Sequence, residues 1–225
     1  MPLVKAKGQM YPWVTHMHTH LGGECPHKCT YCYVNNPRFG RPVRYQGPVR
    51  LIPEEFDVKY GVGKTIFIEH CNDILAEGVS DESVRCVINH CAEYPSNTYV
   101  FQSKNPVRFA DFIWPENSIF GTTIETNRAI LGISTAPAPA YRYLELKGLS
   151  VKRKFITVEP VLDFDVDTLA IWIADINPEF LNLGADSKNH NLPEPTVDKI
   201  HQLVAKLAEY GIELREKHNL ARLKP

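Results

Sequence analysis

The sequence predicts an α/β protein whose parallel strands curve into a partly open barrel of six strand and helix units, a partial (β/α)6 barrel. Short buried apolar segments alternate along the chain with segments in which apolar residues recur at helical spacing. This alternation favours a parallel sheet with crossover helices. Six units in 225 residues are too few for a closed eight-stranded barrel, so we expect one open-barrel domain spanning residues 1–225.

The first half of the chain carries four predicted strands. A helix begins at Asp81 between the second and third strands, because Val84, Val87, Ile88 and Cys91 fall on one of its faces. Another, shorter helix is expected to end near residues 114–115. The four strands are assigned to 13–15, Thr65–Ile68, Thr98–Gln102 and 118–124.

The second half continues the alternation. Lys154–Val158 is the fifth strand and ends where Pro160 restricts the residue before it. Phe180–Leu183 is the sixth strand, and a short terminal strand is expected at 212–214. Helices are placed near 141–147, from about residue 165 with Val166, Leu169, Ala170 and Ile173 on one face, and around Val197, Ile200, Val204 and Leu207.

Composition indicates an ordinary globular protein. The chain is 44% hydrophobic and 23% charged, which is enough for one sizeable core. No apolar run approaches the roughly 20 residues that cross a bilayer, and the N-terminus lacks a leader pattern, so we expect a cytoplasmic protein without a membrane partner. The net charge of −1 gives no general attraction to nucleic acid.

Three cysteines carry the strongest chemical signal. Cys25, Cys29 and Cys32 are separated by three and then two residues, so one short loop can hold three irons of a cubane cluster and leave the fourth iron open to a small molecule. The alternative is a structural zinc site, in which a histidine supplies the fourth ligand. The candidates for that ligand are His16, His18, His20 and His27.

With Tyr31 directly before the last cysteine, this spacing resembles the signature of the radical S-adenosylmethionine (SAM) superfamily. The resemblance implies a [4Fe–4S] cluster whose open iron binds SAM, and an electron that cleaves SAM into methionine and a 5′-deoxyadenosyl radical. It also implies a partial six-unit barrel and an electron donor such as flavodoxin or ferredoxin. The protein's part is then to bind, orient and shield the reactive group.

Active sites of parallel β/α proteins form at the carboxyl ends of the strands, and polar residues follow each predicted strand here. Asn72 and Asp73 are expected to hold the amino group of SAM, as the resemblance implies. The other expected cofactor contacts are Tyr31, Ser103, Lys104, Thr123, Glu125 and Glu159, and the expected substrate contacts are Asp186 and Lys217. The alternative for Asp73 and Asp186 is a role in helix caps or turns.

Two further groups have open interpretations. Cys71 lies beside the proposed SAM-binding turn, where a thiol could donate a hydrogen atom to a substrate radical, although buried cysteines are usually inert. His16, His18 and His20 alternate, so in an extended segment their rings share one face and could bind a metal. Hydrogen-bonded or solvated histidines lining the mouth of the site are the alternative.

Beyond the cysteine loop, the chain resembles small phage-encoded radical SAM proteins distantly related to spore photoproduct lyase. The resemblance implies a nucleobase substrate, such as a thymine in phage DNA that carries an amino-acid adduct and is rearranged by a mutase, and it implies the host cytoplasm. Repair of thymine dimers is the other activity in this group. The segments that carry the resemblance are 101–106, 121–127, 157–161 and 183–185.

A DNA substrate would have to be single-stranded or flipped out of the duplex, because a radical inside a barrel cannot reach a stacked base. Arg38, Arg41 and Arg44 follow the cysteine loop and are expected to contact phosphates. Their alternative is a solvated basic loop over the cluster. A peptide or protein substrate is the competing enzymatic hypothesis, and a zinc-stabilised nucleic-acid-binding module is the non-enzymatic one.

Overall fold

An open sheet of eight strands forms the centre of the computed structural model, which describes residues 3–8, 10–35, 43–188 and 190–224. Ten strands are present in the described ranges. In chain order they are β1 (Val4–Lys5), β2 (His16–His18), β3 (Leu21–Gly22), β4 (Arg50–Leu51), β5 (Thr65–Ile68), β6 (Thr98–Gln102), β7 (Ser118–Thr123), β8 (Lys154–Val158), β9 (Phe180–Leu183) and β10 (Leu214–Glu216).

The order across the sheet is β1, β2, β5, β6, β7, β8, β9 and β10, and all neighbours are parallel except β1 and β2. β3 and β4 form a separate antiparallel ribbon beside the cysteine loop. The sheet has two edges and does not close. The predicted class, an α/β fold with a curved and open parallel sheet, is therefore confirmed.

In the described residues, four α-helices connect successive parallel strands. They are α1 (Asp81–Ala92), α2 (Pro139–Gly148), α3 (Val166–Ile176) and α4 (Val197–Glu209). The hydroxyl groups of Ser80 and Thr196 accept hydrogen bonds from backbone amides in the first turns of α1 and α4, which fixes where these helices begin. Every helix in the described part of the chain is too short or too polar to cross a bilayer.

The two faces of the sheet bury different side chains. Ile66 and Ile68 pack with Val84 and Val87 of α1, so Phe67 points to the opposite face. On that inner face it meets an aromatic layer in which Tyr11 and Trp13 stack with ring centroids 5.5 Å apart. Phe155 and Phe180 complete this layer and close one end of the sheet's inner face.

Three elements differ from their sequence predictions. The first parallel strand is His16–His18 rather than 13–15, because Trp13 packs in the aromatic layer and pairing with β5 begins only at the amide of Thr15. A 3-10 helix, Pro106–Asp111, replaces the short helix expected near Trp114. The terminal strand lies at Leu214–Glu216, two residues later than expected, because the backbone of β10 pairs with β9 in that register.

We predict that Gly121→Ala destabilises the fold by about 1–3 kcal/mol, the usual cost of overpacking a core. A Cβ atom at Gly121 would lie 2.3 Å from the buried ring of Phe155. Gly148→Ala is the matched control, since a Cβ there meets nothing within 4 Å and the residue belongs to α2. Urea unfolding of both variants measures the difference, and equal stabilities would show that the Phe155 ring relaxes without cost.

Candidate active site at the strand ends

The three candidate cluster cysteines, Cys25, Cys29 and Cys32, lie in the loop that follows β3. All three are partly accessible. The loop turns through hydrogen bonds from the Lys28 amide to the Cys25 carbonyl (3.3 Å) and from the Cys32 amide to the Cys29 carbonyl (3.1 Å). Burial, with the charge of Asp73, raises the pKa of the Cys25 thiol to about 12. Ionising this thiol therefore needs a nearby cation or a bound metal.

Asp73 holds the cysteine loop against the sheet. It is 7% exposed, and its carboxylate oxygens accept four hydrogen bonds. Burial alone would favour the neutral acid, but His27 and the other donors hold the pKa of Asp73 below its usual range. The donors are His27 Nε2 (2.9 Å), the Leu75 amide (3.0 Å), Ser103 Oγ (2.6 Å) and the Lys104 amide (2.7 Å).

Asn72 fixes the same loop through its side chain, which donates to the Gly23 carbonyl (3.2 Å) and accepts from the Asp73 amide (3.0 Å). Asp73, Ser103 and Lys104 are thus brought together as the sequence predicts, and they contact one another. Their expected contacts with SAM stay predictions.

Lys104 links the cysteine loop to the end of β7. Its ammonium lies 3.2 Å from Cys29 Sγ, 2.7 Å from Glu125 Oε1 and beside the hydroxyl of Tyr31, which itself contacts Glu125. The other carboxylate oxygen of Glu125 accepts from Arg142 at 2.8 Å. Although burial opposes its ionisation, Lys104 and Arg142 lower the pKa of Glu125 to about 2.

This network carries a net positive charge next to the cysteines. One carboxylate, Glu125, faces two cations, Lys104 and Arg142, and all three are buried or nearly so. The Lys104 ammonium lies directly against Cys29 Sγ, so a positive charge is in place beside any anionic group that the cysteine loop holds. The donor set therefore fits an iron–sulfur cluster held by three cysteines, with no fourth cysteine in the described part of this loop.

The histidine candidates for a fourth zinc ligand are engaged elsewhere. His27 is 4% exposed, and its Nε2 donates to Asp73. His18 and His20 are buried with His90 in a cluster behind the sheet edge, where burial and neighbouring histidines lower the pKa of His18 to about 3. His16 lies apart and contacts Thr15. The three alternating histidines therefore do not form one site: His18 and His20 meet His90, whereas His16 contacts Thr15.

A ring of polar side chains lines the inner face above the aromatic layer. The Tyr11 hydroxyl contacts Gln102 Oε1 and Thr157 Oγ1, each at 2.8 Å, and Gln102 Nε2 donates to Thr123 Oγ1 at 2.9 Å. Sequence reasoning found Thr123 but missed Gln102, Thr157, Asn182, Tyr11 and the cation Arg142. For the strand residues, the available signal was a polar side chain inside an otherwise apolar strand.

Glu159 and Lys217 form an ion pair at the same edge. Lys217 Nζ lies 2.6 Å from Glu159 Oε2 and 4.9 Å from the centre of the Tyr11 ring. Asn219 donates to the second oxygen of Glu159 at 2.9 Å. Asp186 instead caps its own turn, accepting from His190 Nδ1 at 2.7 Å and from the Lys188 amide at 3.1 Å. Asp186 therefore has the turn role that the sequence analysis gave as the alternative to substrate binding.

Cys71 lies in a polar turn after β5. Its Sγ is 3.3 Å from the hydroxyl of Tyr33, and His70 is fixed by a 2.8 Å contact between its Nδ1 and Thr19 Oγ1. Burial opposes ionisation of the thiol, but hydrogen bonding to His70 and the charge of His70 outweigh it and lower the pKa of Cys71. The pKa of His70 is raised in turn.

Of the three arginines that are expected to contact phosphates, the structure describes one. Arg38 and Arg41 lie outside the described residues. Arg44 donates to Glu55 Oε1 at 2.5 Å and to the Thr19 carbonyl at 2.6 Å, so much of its guanidinium serves the fold. A phosphate contact by this segment stays a prediction.

A cavity of about 200 Å³ adjoins Glu125 and Arg142. Apolar side chains including Ile130, Ile133 and Leu162 line its other walls. It is smaller than the roughly 300–1,000 Å³ of sites that enclose a whole small molecule, so it fits only part of a ligand the size of SAM.

Solved structures of spore photoproduct lyase share this fold. A cysteine-to-serine variant of that enzyme superposes with a TM-score of 0.57 at 13% identity, over 91% of this chain and 66% of the other. A variant with bound AdoMet and dinucleoside spore photoproduct gives 0.53 at 13% identity, over 90% and 63%. A third structure, complexed with dinucleoside spore photoproduct, gives 0.54 at 14%, over 88% and 63%.

This chain therefore spans slightly less than two thirds of the length of these structures. At such identity the likeness establishes the fold and leaves the activity open. No family model and no curated protein matches the sequence.

We predict that Asp73→Asn lowers the free energy of unfolding by about 1.5–3 kcal/mol, because hydrogen bonds to a buried charge are lost and the new amide faces donors. Asp81→Asn is the matched control. The Asp81 carboxylate is 53% exposed beside Arg85 and Arg108, so its loss costs less than about 1 kcal/mol. Urea titrations of both variants test this, and a tolerant Asp73 site would contradict the assigned role.

Proposed function

We propose that this protein is a radical SAM enzyme in which Cys25, Cys29 and Cys32 bind a [4Fe–4S] cluster with one open iron. The observation that carries the proposal is the contact of Lys104 with Cys29, which fastens a three-cysteine loop over the carboxyl edge of the open sheet. When bound, the cluster and SAM supply the electron transfer and the 5′-deoxyadenosyl radical. A flavodoxin or ferredoxin is the proposed source of the electron.

The chain's own residues would bind, orient and shield. Lys104 and Arg142 offset negative charge at the cysteine loop, and Glu125 keeps both cations in place. The stacked rings of Tyr11 and Trp13 cover the far end of the inner face.

Contacts with SAM are proposed at the inner edge of the same network. The Thr123 hydroxyl and the Glu159 carboxylate lie on the polar ring, while Asn72, Asp73, Ser103, Tyr31 and Glu125 surround the cysteine loop. Both Asp73 oxygens already accept hydrogen bonds. A SAM amino group would therefore compete with an existing donor at Asp73. In the described part of the chain Glu159 accepts hydrogen bonds from two side chains, Lys217 and Asn219.

A modified nucleobase is the proposed substrate. Two of the structures that share the fold contain a dinucleoside photoproduct. The polar ring offers amide, hydroxyl and ammonium groups, which match the carbonyl and imide edge of a thymine. We propose rearrangement of a thymine adduct in phage-type DNA, with the base single-stranded or flipped out and its phosphates near Arg38, Arg41 and Arg44. Asp186 and Lys217 are the other proposed substrate contacts.

Cys71 is proposed to return a hydrogen atom to the substrate radical. A thiolate cannot donate a hydrogen atom, so the thiol must carry a proton at that moment. His70, which hydrogen-bonds to Cys71, can supply it. The S–H bond then breaks, the substrate carbon gains the hydrogen atom, and sulfur keeps the unpaired electron. Tyr33 holds the thiol in position through its hydroxyl.

Anaerobic reconstitution tests the class. We expect the protein with iron, sulfide, dithionite and SAM to release 5′-deoxyadenosine, and Cys29→Ala to release none. Cys86→Ala is the matched control, because this half-buried cysteine lies on α1 away from the loop. Modified thymine oligonucleotides and peptides are then compared as substrates.

A colourless protein that keeps zinc on Cys25, Cys29 and Cys32 and never cleaves SAM would favour the nucleic-acid-binding module. Turnover of peptides alone would favour the peptide hypothesis.

Replacing Cys71 separates its role from SAM cleavage. We expect Cys71→Ala to cleave SAM at the parental rate while the yield of substrate product per 5′-deoxyadenosine falls, because the substrate radical is quenched elsewhere. Product analysis by mass spectrometry in deuterated buffer follows the solvent-derived hydrogen that Cys71 would deliver. Parental product yield and labelling in Cys71→Ala would exclude the donor role.

A further inference from the structure

Three buried histidines form a cluster that the proposed function does not use. His18 ends β2, His20 lies two residues later and His90 belongs to α1, and their exposures are 5%, 0% and 2%. The ring centres of His18 and His20 are 4.3 Å apart, and those of His20 and His90 are 5.1 Å apart. One nitrogen from each ring lies within 4.8 Å of the others.

In each ring, the nitrogen that faces away from the other two rings must carry a proton, because the oxygen that it contacts can only accept a hydrogen bond. Glu55 also pairs with Arg44, Glu69 also accepts from the His20 and Leu21 amides, and Val58 offers a carbonyl. These outer contacts are His18 Nε2 to Glu55 (2.9 Å), His20 Nδ1 to Glu69 (2.8 Å) and His90 Nε2 to the Val58 carbonyl (3.0 Å). Carboxylates and carbonyls in these places are the usual outer partners of metal-binding histidines.

The inner nitrogens then face one another around the hydroxyl of Tyr60. His18 Nδ1 lies 2.6 Å from that oxygen, His20 Nε2 lies 3.1 Å from it, and His20 Nε2 lies 2.8 Å from His90 Nδ1. If the three imidazoles are neutral, each inner nitrogen carries no hydrogen and can only accept a hydrogen bond. The one phenolic hydrogen of Tyr60 serves a single neighbour, so the pair formed by His20 and His90 has no hydrogen between two acceptors. The centre of the cluster therefore needs one positive charge, either an added proton or a metal ion.

We propose that His18, His20 and His90, with the Tyr60 oxygen as fourth ligand, bind one divalent transition-metal ion, with zinc as the expected metal. Three imidazoles are a ligand set that zinc takes in proteins, and the Tyr60 oxygen supplies the fourth donor here. Zinc–nitrogen bonds of about 2.0–2.1 Å require the His20 and His90 nitrogens to separate by about half an ångström. The outer contacts already fix the tautomers that such a site needs.

The position of the cluster gives the metal a structural role. Its ligands come from β2 and the residues directly after it, from the segment before β5 and from α1, and His20 precedes Cys25 by only five residues. A bound ion would cross-link these three segments at the base of the cysteine loop. The site is independent of the proposed radical chemistry, since it shares no ligand with the cysteine loop.

The test uses the full chain with Cys25→Ser, Cys29→Ser and Cys32→Ser, so that the loop thiolates cannot take up the metal. We expect this protein to bind one equivalent of Zn²⁺, with X-ray absorption showing nitrogen and oxygen at about 2.0–2.1 Å and no sulfur at about 2.3 Å. In the same background His90→Phe should abolish binding, and Glu69→Gln should weaken it by about 10- to 100-fold through loss of the outer hydrogen bond. His16→Phe is the control and should bind as its parent.

Several results would overturn the site. They are the absence of stoichiometric zinc, zinc–sulfur distances, or binding that is unchanged in both His90→Phe and Glu69→Gln. Any of them would leave the cluster as a hydrogen-bonded network charged by a proton. If His90→Phe does not fold, two measurements still test the site: the X-ray absorption spectrum of the parent with three serines, and the zinc affinity of Glu69→Gln.

Discussion

The buried carboxylate of Asp73 is the contact on which the candidate site depends. A buried carboxylate is costly unless its oxygens are hydrogen-bonded, and Asp73 receives donors from the cysteine loop, from its own turn and from the end of β6. It therefore joins the cysteine loop, the turn after β5 and the end of β6 at one buried point. Glu125 has a different task, because its two cations set the charge beside Cys29. One acid positions the loop, and the other fixes its electrostatic environment.

The strand ends could be predicted from the sequence because local signals mark them. Pro160 ends β8, and the apolar spacing of α1 and α4 sets the lengths of the connections around their strands. The location of Lys104 and Glu125 at the site followed from the same rule. The partners of buried polar residues could not be predicted in this way, because they are distant in the sequence. His27 lies 46 positions from Asp73, and His90 lies 70 positions from His20. Such distant donors determine whether the oxygens of a carboxylate at a strand end can still accept a hydrogen bond from a ligand.

The side chains on the inner face of the sheet were also not predicted from the sequence. Tyr11 precedes every parallel strand, yet its hydroxyl reaches Gln102 and Thr157 in the middle of the sheet. The sequence pattern marks Thr157 and Asn182 as polar residues inside apolar strands, but it does not show which face they point to until the register is known. The aromatic layer under them is likewise assembled from residues on separate strands, such as Phe67 and Phe180.

The connection between β2 and β5 links the cysteine loop to the turn that holds Cys71. It carries Cys25, Cys29 and Cys32, and two of its tyrosines, Tyr33 and Tyr45, help to lower the pKa of Cys71. Its anchor is the pair of Arg44 and Glu55, and Glu55 also contacts His18. Because the Glu55 carboxylate contacts both Arg44 and His18, it joins the histidine cluster to the described part of this connection.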